Sequence, residues 1–284
     1  MEDLNLYKYY VPSLAAAVIF TVVFGVITVA HVVLIVRTKR KFPLIVVVGG
    51  LFEAVGHAAR AYSHSHLDAE TPFIIQVLLV LLAPILFAAG IYMLLGRLIK
   101  ASGYPKLSII RPTWVTKIFL LGDILCFLVQ AAGAAKLVKP KSSEDIKNGE
   151  NTVLGGLALQ ILIFGLFLVV AIVFHVRYRK RGANGSKNLV ERHLWSLYIC
   201  SILVSVRNVF RFLEYKMGTD GYLYRHEWPL YVLDVSLMAV VMLLALDWYR
   251  GSFEAPEHSA LRDECDGDIT LNQQHRLSGR RTIV

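Results

Sequence analysis

Seven long apolar runs dominate this chain, at about residues 12–36, 44–63, 72–100, 113–135, 153–178, 192–213 and 229–249. Each is close to or above the roughly 20 residues that an α-helix needs to cross a hydrocarbon core of about 30 Å. Lipid offers a backbone no hydrogen-bond partner, so a spanning segment must satisfy its own N–H and C=O groups, and an isolated apolar run does this as a helix. The expected fold is therefore all-α, a polytopic membrane protein with seven transmembrane helices over 1–250 and a polar, disordered tail over 251–284. Composition agrees, since 56% of residues are hydrophobic, only 18% are charged and the mean hydropathy is +0.54. An ordinary soluble enzyme carries more polar surface than that. Cys126, Cys200 and Cys265 are too scattered for a disulfide framework or a zinc motif. Glu2 and Asp3 before the first run, and the run's length, argue against a cleaved signal peptide.

Lysines and arginines set the orientation. The net charge of +9 reflects juxtamembrane clusters rather than a nucleic-acid surface. Fourteen basic residues fall in the loops after the first, third and fifth helices, and seven on the opposite side. This predicts an N-terminus outside and a C-terminus in the cytoplasm, with the basic loop 177–192 available to a cytoplasmic partner. The sequon at Asn184 then lies on the cytoplasmic side, where it goes unused.

Ionisable residues inside spans are costly, and by default they are candidates for function. Glu53, His57 and Arg60 are spaced i, i+4, i+7 and share one helix face; Arg207, Arg211 and Glu214 repeat that spacing. Asp123 and Gln130 lie on the fourth helix, Asp234 on the seventh, and Gln76 and Gln160 on the third and fifth. With the predicted orientation, these groups collect at the midplane and in the outer half, which suggests a polar cavity there. A role confined to fixing helix register stays open beside a binding role. Glu53, near mid-bilayer, calls for a cationic partner, with Arg207 or Arg211 as the candidates. Pro84 stands inside the third run and is expected to bend that helix beside the cavity. Gly49, Gly50, Gly155, Gly156 and Gly165 are read as sites of close helix contact. No metal or cofactor is expected, and no G-x-x-x-x-G-K-[ST] nucleotide loop is present.

From Tyr10-Val-Pro12-Ser13 to about Arg250 the chain resembles the fungal lipid-translocating exporter family, the RTA-like seven-helix proteins. The resemblance is carried by Glu53-Ala-Val-Gly56-His57-Ala-Ala-Arg60, Ala83-Pro84, Tyr92-Met93-Leu94-Leu95-Gly96-Arg97 and Gly122-Asp123. It continues through Gln130-Ala-Ala-Gly133, Arg207-Asn-Val-Phe210-Arg211, Glu214-Tyr215, Glu227 and Tyr231-Val-Leu-Asp234. His57 stands where an aromatic residue is usual. The resemblance implies a non-enzymatic plasma-membrane protein that binds and moves amphiphiles such as sphingoid long-chain bases or sterol-like amines, and that supports resistance to them. Two other readings of seven helices with buried charges are a receptor or sensor for such a ligand and an intramembrane zinc hydrolase. The hydrolase needs several histidines converging on one metal.

Overall fold

The computed structural model describes residues 13–66, 69–138, 142–181, 187–218 and 221–250. The expected tail over 251–284 and Asn184 lie outside them. Among the described residues the regular structure is helical, and seven helices are long and apolar enough to cross a membrane. They are α1 (Leu14–Thr38), α2 (Leu44–Ser63), α3 (Glu70–Ala101), α4 (Pro112–Val138), α5 (Ser143–Lys180), α6 (Lys187–Met217) and α7 (Trp228–Tyr249).

Local chemistry explains the ends. The Ser13 hydroxyl caps α1 by accepting from the Ala16 N–H, and Lys39 closes the helix in the left-handed region at φ 54°. Helix α5 starts ten residues before its apolar run, because Ser142 caps it and Glu144 and Asp145 stand in its first turn, where a helix favours negative charge. Its 38 residues span about 57 Å, so its ends project beyond an apolar layer of about 30 Å.

Helix α3 is the hub of the bundle. It packs against α2, α4, α5, α6 and α7, and buries almost its whole C-terminal half, including Phe87, Ile91, Tyr92, Leu94, Leu95 and Leu98. Helix α1 is peripheral, with Val18, Ile19, Val22, Val26, Val29 and Val36 exposed along it as a lipid-facing surface requires. Glycines set the tightest approaches. A Cβ on Gly50 would stand 2.2 Å from Met242 and 2.5 Å from Thr28, and one on Gly156 would stand 2.7 Å from Gln130. Gly49 is equally tight, against Phe87, whereas Gly155 and Gly165 meet nothing within 4 Å and face outward.

Helix α7 is irregular. A short α-helical turn leads into a π-helical turn over Tyr231–Val235, then an α-helix over Ser236–Ala245 and a 3-10 turn over Leu246–Tyr249. Single π turns inside helices recur at functional sites. This one holds Asp234, and the Ser236 N–H reaches back to the Tyr231 carbonyl.

Candidate functional site

Asp234 is the centre of a buried charge cluster. Arg207 Nε stands 2.6 Å from one carboxylate oxygen and Arg211 Nε 3.0 Å from the other. Arg211 also donates to Glu214 at 2.8 Å, one turn along α6. The i, i+4, i+7 face of α6 thus meets the π turn of α7. Arg207 is 2% exposed and Asp234 1%. Pro84 contributes to the same centre. It has no N–H, so the Val80 carbonyl loses its intrahelical donor, and Arg207 Nη2 donates to that oxygen at 3.4 Å. Helix α3 runs from Glu70 to Ala101 without a break at Pro84.

Glu53, at the middle of α2, differs from the expected pairing. Both candidate arginines are taken by Asp234, and the ion-pair contact of Glu53 is with His57 Nδ1, 3.5 Å from Oε2. That oxygen accepts no hydrogen bond among the described residues, although Glu53 is 1% exposed. His57 donates from Nδ1 to the Glu53 backbone carbonyl at 2.8 Å. The aromatic rings of Phe20, Phe24 and Tyr231 lie 6.0, 5.7 and 6.5 Å from the imidazole.

A second group ties α2 to the entry of α7. Arg60 Nη2 binds Glu227 at 2.7 Å, and Arg60 Nε donates to the Tyr231 hydroxyl at 3.1 Å. That hydroxyl donates to Glu227 at 3.1 Å. Glu227 also accepts from the Ser13 N–H at 2.9 and 3.0 Å, which places a carboxylate at the positive end of α1. Three helix ends on the N-terminal side of the bundle are thereby fastened together.

Asp123, Gln130 and Gln160 stand apart, between α3, α4 and α5. Tyr92 donates to Asp123 Oδ2 at 2.7 Å, amid Phe119, Phe164 and Phe167, while Asp123 Oδ1 accepts no hydrogen bond among the described residues. Gln130 donates to Gln160 at 2.8 Å, which pairs two buried amides across the α4–α5 contact. Gln76 is buried on α3.

The far side of the bundle carries its own polar clamps. His31 Nε2 donates to the Met242 carbonyl at 3.0 Å and Nδ1 accepts from Tyr249 at 3.0 Å. The 3-10 turn makes the first bond available, because the Leu246 N–H turns to Leu243 and leaves the Met242 carbonyl free. Asp247 pairs with Arg192, and Trp248 donates to Ser196 at 3.2 Å. In the basic loop, Arg177 donates to the Leu107 carbonyl at 3.2 Å and Arg179 stands 3.5 Å from Glu191, while 182–186 lie outside the described residues. Among the described residues, no three His, Cys, Asp or Glu side chains gather as metal ligands.

Two partners in these networks stand in the family resemblance but carry no hydropathy or spacing signal of their own. Tyr92 is one aromatic in a long apolar run, and Glu227 precedes the last run, at about 229–249.

The fold and site define a class, the seven-span α-helical membrane protein whose acids and arginines are interlocked inside the bundle. Within that class the chain belongs to the RTA1-like family. The family described as RTA1 like protein matches residues 46–254. Protein RTA1 of Saccharomyces cerevisiae is 32% identical over 273 residues, covering 86% of this chain and 84% of that one. Protoporphyrin uptake protein 1 of the same yeast is 31% identical, covering 83% and 89%. The yeast sphingoid long-chain base transporter RSB1 is 25% identical over 282 residues, covering 87% and 74%. No solved structure matches the chain.

Proposed function

We propose that this protein binds an amphiphile at the cluster joining α2, α6 and α7 and promotes its movement across the plasma membrane. The substrate class is the sphingoid long-chain base or sterol-amine type. The observation that carries this reading is Glu53, a buried acid with no arginine or lysine in ion-pair contact among the described residues, beside the rings around His57. A carboxylate beside a histidine that packs among aromatic rings suits a cationic headgroup, and the exposed apolar helix faces suit a ligand that arrives from lipid. The sphingoid-base transporter among the relatives supports the same class. In this reading Arg60, Arg207, Arg211, Glu214 and Asp234 hold the site's shape, while Asp123, Gln130 and Gln160 form a second polar group between α3, α4 and α5, and Gln76 is a further buried amide on α3. The N-terminus faces outward in this reading, which puts the Arg60–Glu227 end of the cluster on the outer-leaflet side.

The test is flux of labelled long-chain base and of a sterol amine in vesicles reconstituted with the full chain. Protein-dependent flux of either compound supports the reading. Rates equal to those of protein-free vesicles for both, from folded protein, would refute it.

A further inference from the structure

The charges around Glu53 do not sum to a closed set. Arg60 is matched by Glu227, and Arg207 and Arg211 are matched by Asp234 and Glu214. Glu53 is the acid left over. The charged groups that act on it from packed helices are Arg207 and Arg211 of α6 and Asp234 of α7, with His57 and Arg60 on its own helix. Helix α3 carries no ionisable acid, lysine, arginine or histidine between Glu70 and Arg97. Helix α1 offers His31, which is held at the far end by Tyr249 and Met242.

An ionised carboxylate buried without an opposite charge is costly, and such a group keeps a proton instead. Glu53 and His57 stand 3.5 Å apart and form one unit. Written as acid beside imidazole or as carboxylate beside imidazolium, the pair has the same proton count and zero net charge. A monocation entering this site restores neutrality only if one proton leaves.

Building on the proposed amphiphile-binding role, we infer that the Glu53–His57 pair exchanges one proton for one cationic amphiphile. The step conserves charge. The protonated pair meets a substituted ammonium ion, the O–H or N–H bond breaks, the proton passes to solvent, and the Glu53 carboxylate is left paired with the cation. No oxidant, nucleotide or metal takes part. The reverse step ties release of the cation to proton uptake, so a proton gradient suffices to drive net movement.

The exchange is measured by titrating the full-length protein with octyltrimethylammonium, whose charge is permanent, so that any proton released comes from the protein. Calorimetry in two buffers of different ionisation enthalpy gives protons released per cation bound. The expected result is about one proton per cation, with affinity falling about tenfold for each pH unit of acidification. Octanol, which has no charge, releases none. Glu53→Gln releases none and its affinity is flat with pH, while Glu53→Asp keeps the release. The wild-type proton count decides the matter even if a variant does not fold. Cation binding without proton release overturns the exchange but leaves amphiphile binding intact. Equal release from Glu53→Gln also overturns it. Absence of cation binding at every pH overturns the exchange and the proposed function together.

Discussion

Asp234→Asn keeps the shape of the side chain and removes the one charge shared by buried Arg207 and partly buried Arg211. Arg207 and Arg211 both stand within 3.0 Å of that carboxylate. After the change Arg211 retains Glu214, whereas Arg207, 2% exposed, keeps only neutral acceptors, the new amide oxygen at position 234 and the Val80 carbonyl at 3.4 Å, and no carboxylate in ion-pair contact among the described residues. Breaking a buried pair by removing one partner costs about 3–5 kcal/mol, because the remaining charge is stranded. At roughly 2–4 °C per kcal/mol for a domain of this size, the melting temperature falls on the order of 10 °C. Glu53→Gln has the opposite logic, since it removes a buried acid with no arginine in ion-pair contact among the described residues, so its stability stays within about 1 kcal/mol of wild type or rises. The assay is thermal unfolding of both variants in the same detergent, followed by intrinsic fluorescence. Adding Arg207→Gln to Asp234→Asn removes the stranded charge and is expected to recover part of the loss. An Asp234→Asn protein that melts within about 2 °C of wild type, or above Glu53→Gln, would refute this assignment of partners.

Four further outcomes follow from particular contacts. Pro84→Ala supplies an N–H to the Val80 carbonyl and competes with Arg207 for it, so a folded variant with lower amphiphile resistance is expected in growth assays. Tyr92→Phe leaves both Asp123 oxygens without a donor and is expected to cost about 1–3 kcal/mol by detergent melting, whereas an unchanged melt would contradict the bond. Gly50→Val forces a side chain into Met242 and Thr28 and is expected to destabilise by about 1–3 kcal/mol, with Gly155→Ala, at an open position, as the neutral control. A C-terminal tag is expected to bind antibody only in permeabilised cells, and labelling of intact cells would reverse the orientation.

The seven spans are legible in the sequence because hydropathy and length alone decide whether a segment crosses lipid. The intramembrane charges are legible too, as Glu53, Arg207, Arg211 and Asp234 interrupt apolar runs. Their pairing is not, because it depends on helix rotation. The π turn over Tyr231–Val235 adds a residue to one turn of α7 and resets the direction in which Asp234 faces, which no regular 3.6-residue periodicity anticipates. It also leaves Glu53 without the arginine that charge balance alone suggests. The start of α5 is hidden for a different reason. Its cap at Ser142 and first-turn acids are readable signals, but a largely polar stretch of ten residues outweighs them in any hydropathy reading. Gly155 and Gly156 are indistinguishable in sequence, yet they face opposite surroundings, because adjacent helical positions differ by about 100° around the axis.

In the proposed function the Glu53 carboxylate meets the amphiphile, while the arginine–Asp234 cluster holds the bundle together. Long-chain-base flux through vesicles containing Glu53→Gln, normalised to folded protein, tests it most directly. The variant is expected to fold and melt like wild type while flux falls to the protein-free rate; wild-type flux from it would leave Glu53 a structural residue and overturn its role in binding.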